Sequence, residues 1–562
     1  MQGFERPDAG LWDVSALVGH LMPESGMFAF LALHRGEVFP DADWADLFAD
    51  LGRPSEPVTR MAAIMTLQAL HGFSDRETAE AVRFDLRWKL ACGLALDDGG
   101  IHPSTLVIWR GRIAGSARPH RVNDAVKKVI EATGILKGRR RRVVDSTILA
   151  DAVATQDTVT QLIAAMRRVL RQVPGAAQVI AAECTGFDYE RGRRPVVDYG
   201  DPQAVGELVS ALVNDADAVV EALAGAGLDE GAAAALALLA ATAGQDVEPA
   251  EGSDGTDGRW QIARKTAEDR IVSQVDPESR HARKNRHSLV DGGYRAHLVS
   301  EPSTGIITDE DMTMAAGEDN SDAAVAARFA AAEHEQDQDQ PGRQQDEHGQ
   351  DPGAGPDGAG GGPDAAGPAA EAGTLTWYGD SAYGTGPLRA ALAAAGDNAV
   401  IKPRTPRPPL IPGGFSTDEF TIDHAAGTAT CPAQVTRPVT GSGRVYFGAA
   451  CRRCPLRPRC TTSKTGRNLH LTGHDQLLRA ARRAWAEDKA LRRDYKATRP
   501  HVERTVAQVA TSRGRRLRLR YRGTAKNRAW LKNRTAAVNL VTLLRHGLTR
   551  AGRTWTTAPA TG

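Results

Sequence analysis

Three acids raise the question of chemistry. Asp145 follows Val143-Val144, and Asp380 follows Leu375-Thr376-Trp377-Tyr378. Both runs have the β-branched and aromatic composition of short strands. A carboxylate at the C-terminal end of a strand stands where open α/β sheets place their sites. Two such carboxylates on neighbouring strands repel each other unless a cation neutralises them. Hard oxygen donors suit Mg²⁺ or Mn²⁺, and a metal pair on such donors binds the attacking and leaving oxygens of a phosphodiester. Glu503, in "YKATRPHVERTVAQV", is the third acid. Pro500 predicts the first turn of a helix. Val502, Val506 and Val509 give it an apolar face, and a carboxylate in the first turn is favoured by the helix dipole. Singly, each acid has a plainer reading: a strand-end Asp caps a turn, and Glu503 pairs with Arg499 one turn away.

A second constellation is Cys431, Cys451, Cys454 and Cys460, in "CP…CRRCPLRPRC". One C-x-x-C knuckle with two further cysteines predicts a tetrahedral structural Zn²⁺ site. Free thiols or a redox pair are the alternatives. Arg452, Arg453, Arg457 and Arg459 lie among them as neutralising charge. Cys92 and Cys184 stand alone and read as buried residues.

The third signal is charge. The chain has 562 residues and a formal charge of +1, which by itself argues against a polyanionic partner. The distribution reverses that argument. From residue 401 onward there are 33 basic and 8 acidic residues, a net +25, and the first 400 residues carry −24. The densest basic run, "TSRGRRLRLRYRGTAKNRAWLKNR" from Thr511 to Arg534, contains no acid and interleaves Tyr521 and Trp530. Such a run supplies phosphate contacts, with affinity that falls steeply with salt. No apolar run approaches a membrane span, Met1 to Gly10 do not read as a secretory signal, and six cysteines in this length fit a reducing cytoplasm.

These residues need elements to position them. Residues 1–138 read as helical. Val58 to Leu70 has helical spacing, Gly72 breaks it, and Ser74 with Glu77 forms a capping box opening a second helix through Leu90. A third helix follows Ser104 with Trp109, Arg110 and Arg112, compatible with a helix-turn-helix as well as an ordinary bundle. Residues 139–332 hold a first strand, an Ala/Leu-rich helical insertion at 158–250, a β-hairpin turning at Pro302 to Gly305, and a helix from Asp322 to Ala332. Residues 333–373 are a low-complexity insertion that cannot bury enough apolar surface to order itself. Residues 374–410 give strand, helix (Leu388 to Ala394) and strand (Asn398 to Lys402). Residues 411–470 form the Cys-rich insert, and 471–562 a basic helical end. Strands alternating with helices around the two aspartates predict an α/β fold.

In this order the motifs resemble a DDE transposase of bacterial insertion sequences. "HGFSDRETAEAVRFDLRWKLACGL" and "HPSTLVIWRGRI" resemble the N-terminal transposase domain; "VVDST" and "YGDSAYGTG" resemble the two aspartate blocks; "YKATRPHVERTVAQV" resembles the glutamate block. The resemblance implies an RNase H-like (retroviral-integrase-like) catalytic core. It makes Asp145, Asp380 and Glu503 ligands of Mg²⁺ (or Mn²⁺) in cleavage at element ends and strand transfer into target DNA. It implies double-stranded DNA partners, both terminal inverted repeats and target, and a homodimer or higher synaptic complex in the bacterial cytoplasm, at the nucleoid. Tyr495, Arg499 and Glu503 resemble the family's Y…R…E signature. The DNA contacts are then expected from Tyr383, Tyr495, Arg499, Arg504, Arg515, Arg516, Arg520, Arg522 and Lys526. Where the signature carries a Lys seven residues after the Glu, this chain has Ala510, with Arg513 or Arg515 as substitutes. A repurposed protein that holds DNA without cutting it is the alternative.

Overall fold

The computed structural model describes residues 1–5, 13–265, 267, 269–285, 288–338, 374–406, 408–409 and 411–558, with the side chains of 283–291 and 336–338 outside the description. The low-complexity insertion therefore lies outside the described residues from 339 onward. Its first residues continue a helix that runs to Gln338, past the expected boundary at 333. A tertiary contact that the local composition does not contain holds its first residue on the sheet: Glu333 pairs with Arg142 of the first strand at 2.6 Å.

The middle of the protein is built on one mixed sheet. Its strands are β1 (Arg141–Ala150), β2 (Arg280–Asn285), β3 (Ser288–Ser300), β4 (Ile307–Met314), β5 (Thr376–Gly379) and β6 (Asn398–Ile401). β1 is central. One edge pairs antiparallel with β3, Val143 opposite Ser300 through Ala150 opposite Gly293. The other edge pairs parallel with β5, Arg141 with Thr376 through Val143 with Tyr378. β4 adds antiparallel to β3, and β6 adds parallel to β5. The β3–β4 hairpin turns where Pro302 to Gly305 predict, with Gly305 at φ 74°.

Period-two alternation assigns the two faces of β1. Val143 packs with Tyr378, Val400 and Val502, and Leu149 clusters with Leu298 and Val509. That face is covered by a long helix, α10 (Lys489–Ala510). Val144 packs on the opposite face with Val299, Phe329 and Leu388, under α7 (Asp322–Gln338) and α8 (Gly386–Ala394). Ahead of these run α1 (Val58–His71), α2 (Asp75–Phe84), α3 (Pro103–Ala114), α4 (Thr158–Gln172), α5 (Pro202–Leu223) and α6 (Glu230–Gln245). The expected capping box at Ser74 and Glu77 is formed, and Gly72 adopts φ 68° at the end of α1. The second predicted helix breaks at Asp85, which caps a separate short helix, Leu86–Ala91. The Ala/Leu-rich insertion is helical, and α4, α5 and α6 enclose a core of their own.

The N-terminal helices do not stand apart from the rest. Their core runs from Met27 to Ile130 and takes in Ala536, Leu540, Leu543 and Leu544 from the C-terminal helix α11 (Thr524–Arg545). Val538 on the same helix packs on the sheet core instead. α11 thus joins the helical region to the sheet. Arg534, 2% exposed, locks the junction. It donates to the Ala69 and Leu70 carbonyls at the end of α1 and to the Gln508, Val509 and Thr511 carbonyls at the end of α10. A cation at two helix C-termini meets the negative ends of both dipoles. Its burial still pulls the guanidinium down to about 10.

Replacing Arg534 with Leu leaves several buried carbonyls without donors, at about 1–3 kcal/mol each. We expect Arg534→Leu to lose about 3 kcal/mol or more in a denaturant titration, whereas the exposed Arg522→Ala stays within about 0.5 kcal/mol of the parent. Equal midpoints for the two variants would contradict this role for Arg534.

Candidate active site

Asp145 does not end its strand. β1 continues to Ala150, because Thr147, Ile148 and Leu149 keep the β-forming alternation and pair with Ala296, Arg295 and Tyr294. Asp380 does follow its strand directly, one residue past β5. The parallel ladder leads up to both acids. Its last pair is Val143 with Tyr378, and two residues further along each chain, past the end of the pairing, stand Asp145 and Asp380. They are close enough for the Asp380 charge to act on Asp145. Each carboxylate is fixed by a local backbone donor: Ser146 N–H to Asp145 Oδ1 at 2.9 Å and Ala382 N–H to Asp380 Oδ1 at 2.7 Å. Burial raises the Asp145 carboxyl, the nearby Asp380 charge adds to that, and Arg499 opposes it.

Arg499 comes from α10. Its Nη2 lies 3.0 Å from Asp145 Oδ2. Pro500 sits inside this helix, not in its first turn. The helix begins at Lys489, where the Asp488 carboxylate accepts from Ala490 and Leu491 N–H. Asp488 was the available start signal. Glu503 is therefore well inside the helix, so the dipole argument for it fails. It is exposed and makes no hydrogen bond or ion pair with a described residue. Its position follows from its neighbours: Val502 packs with Val143, and Val509 clusters with Leu149. α10 thus runs beside β1 in the same direction and carries Glu503 near the level of Asp145. Asp494, which the sequence did not single out, ties the start of α10 to the sheet. It accepts from the Tyr378 hydroxyl at 2.7 Å and lies 3.7 Å from Arg141.

The two tyrosines differ from expectation in different ways. Tyr383 is 1% exposed, packed among Val144, Trp377 and Leu388 beneath the Asp380 turn. A side chain so placed does not face DNA, and its expected DNA contact is corrected to a core position. Burial, with Asp322, Asp145 and Asp380 nearby, raises its hydroxyl well above the usual range. Tyr495 is half-buried beside Arg499 and meets Trp485 edge-on at 5.0 Å.

Acids from distant parts of the chain answer much of the basic tail, which the run itself did not reveal. Arg528 pairs with Asp311 at 2.6 Å, Lys532 with Glu310 at 3.0 Å and Arg520 with Glu77 at 3.3 Å. Arg516 donates to Thr147 Oγ1 and the Ile148 carbonyl. On α3, Trp109 is buried, and Arg110 pairs with Asp75 at 2.6 Å and stacks on Tyr521. By contrast, Arg504, Arg515, Arg522 and Lys526 are exposed, and their side chains make no hydrogen bond or ion pair with a described residue. Cys431, Cys451, Cys454 and Cys460 line one largely apolar cavity of about 160 Å³ with Phe415, Phe420 and Phe447. Burial raises the Cys460 thiol, and its three companions add to that. Among the described residues, no three His, Cys, Asp or Glu side chains are gathered closely enough to hold a metal ion as they stand.

Two family models match the chain. A transposase DDE domain covers residues 431–544, and a transposase domain (DUF772) covers 32–112. Together the two matches support a DDE transposase of insertion sequences. The DDE match contains the four cysteines, Arg499 and Glu503; Asp145 and Asp380 precede it. No curated protein and no solved structure matches. No described helix of the chain is long and apolar enough to cross a membrane.

Near the two aspartates the sheet holds a histidine that the sequence did not mark. His297 is fully buried, bonded to Thr313 Oγ1 at 3.0 Å, with Nδ1 3.6 Å from Asp322. Burial lowers it to about 4, with Asp322 opposing. A depressed folded-state value means that the stability is fully present above the unfolded value near 6.5 and is lost as pH falls toward 4. The full loss is about 3 kcal/mol. His297→Gln should flatten the fall in melting temperature across this window. An unchanged acid slope in the variant would contradict it.

Proposed function

We propose that this transposase cuts DNA at the ends of its element and joins the cut ends to target DNA, with Asp145, Asp380 and Glu503 as its divalent-metal ligands. The single observation that carries this reading is the closeness of Asp145 and Asp380 just past the parallel β1–β5 ladder, under the helix that bears Glu503. The strand order β2-β3-β1-β5-β6, with β4 also paired to β3, is antiparallel on one side of β1 and parallel on the other, and it supports the RNase H-like description of the core. The donor set fits Mg²⁺ or Mn²⁺: two hard carboxylates of like charge side by side, one of them already answered by a cationic side chain.

When bound, the metal would polarise a phosphodiester and lower the pKa of a water. The chain's own residues do the rest. In the first step a water oxygen bonds to phosphorus and the bond to the 3′ oxygen breaks, leaving a 3′-hydroxyl and a 5′-phosphate. In the second, that 3′ oxygen bonds to a target phosphorus and displaces the target's 3′ oxygen. Both steps are in-line displacements, so the same carboxylates serve both. Exposed Arg504, Arg515, Arg522 and Lys526 hold the duplex by its phosphates. Arg499 and Tyr495 face the reacting strand.

We expect Asp145→Asn and Asp380→Asn to abolish Mg²⁺-dependent nicking of a supercoiled plasmid carrying the element ends, with DNA affinity changed less than about threefold. Full nicking by either variant would remove that residue from the site, and wild-type protein that binds DNA but never nicks would favour the repurposed reading. The four cysteines suit a structural Zn²⁺, since all line one cavity. Protein purified without chelators is expected to carry about one zinc per chain by elemental analysis; zinc-free folded protein would count against it.

A further inference from the structure

Asp145 is assigned to the metal, yet its Oδ2 already has a cation, Arg499 Nη2 at 3.0 Å. The side chains are 16% and 12% exposed, so water does little to screen the pair. The arrangement is incomplete on the arginine side. Arg499 Nη1 is buried and has no acceptor, although a guanidinium fork is built for two. The helix beneath it is held independently of the pair, by Val502 on Val143 and by Asp494 on Tyr378. The guanidinium can therefore leave Asp145 without the helix moving. Arginine stays protonated at any physiological pH. Only another cation at Asp145, or another anion for Arg499, changes its partner.

We propose that Arg499 is a displaceable counter-cation: it neutralises Asp145 in the DNA-free protein and passes to a DNA phosphate when a divalent cation takes its place. This rests on the assignment of Asp145 as a metal ligand. The consequence is coupling. A phosphate that draws Arg499 away opens the carboxylate to metal, and metal at the carboxylate frees Arg499 for phosphate. By linkage each raises the affinity of the other by the same factor. The free protein, with its carboxylate occupied, is kept from cutting at random.

The test titrates the full-length protein with Mn²⁺, read by the free-ion electron paramagnetic resonance signal, with and without a short DNA duplex. Wild-type protein is expected to bind Mn²⁺ weakly alone and about tenfold more tightly with duplex present. Arg499→Gln should bind Mn²⁺ about tenfold more tightly than wild type without DNA, and duplex should then add little. Arg499→Lys, which keeps a cation but shortens it, should fall between the two, and it carries the test if the glutamine variant does not fold. Variants that bind Mn²⁺ no more tightly than wild type, with coupling to DNA intact, would overturn the proposal. Asp145→Asn separates the two levels of the claim. If it removes Mn²⁺ binding while the Arg499 variants change nothing, the displacement idea alone fails. If it leaves Mn²⁺ binding untouched, the assignment of Asp145 fails and the proposal falls with it.

Discussion

The structure depends on one constraint: β1 is paired on both edges, antiparallel to β3 over Val143–Ala150 and parallel to β5 over Arg141–Val143. A strand so enclosed sends its side chains only up or down. Asp145, in its middle, must point into a covered face, and a carboxylate there needs a partner. α10 supplies it. The same helix is held on the sheet by Val502 and Val509, so apolar packing sets the height at which Arg499 and Glu503 arrive. The parallel pairing with β5 leads to the other acid, because Asp380 follows β5 directly and its charge acts on Asp145. Segments far apart in the chain are brought together by two ladders and one helix.

The charge asymmetry of the chain is resolved by the fold into two populations of arginine. One is internal. Arg534 holds two helix ends together, Arg528 and Lys532 meet acids on β4, and Arg110 meets Asp75 under Tyr521. The other is external: Arg504, Arg515, Arg522 and Lys526 remain on the surface. The basic C-terminal region therefore holds the acidic part of the chain and also leaves cations on the surface, and net charge alone separates neither population.

Much of this was legible in the sequence for identifiable reasons. Alternation gave the β3–β4 hairpin and its turn. The β-branched runs gave β1, β5 and β6, and the Ser74–Glu77 box gave the start of α2. The composition of the insertion gave its helices. The misses are equally specific. β1 extended past Asp145 because pairing with β3 rewards residues whose run looked finished. Pro500 read as a helix start because local propensity favours it there, whereas tertiary packing tolerates it inside a long helix. Tyr383 read as a surface contact because its burial comes from α7 and α8, which no local pattern links to it. The partners of the basic tail lie far away in sequence, on β4 and α2, so a run without acids looked uncompensated. His297 sat at an ordinary strand position, and only the helix packed above it made it a buried titrating group.

The central claim is that strand register and one covering helix build a divalent-metal site between Asp145 and Asp380. Its most direct test is the anomalous scattering of Mn²⁺ in crystals of the full-length protein bound to a DNA duplex. The account predicts a peak between the Asp145 and Asp380 carboxylates, with Glu503 turned toward it and Arg499 moved onto a phosphate. Density for Mn²⁺ elsewhere, with the Arg499–Asp145 pair still closed in the DNA-bound protein, would contradict it.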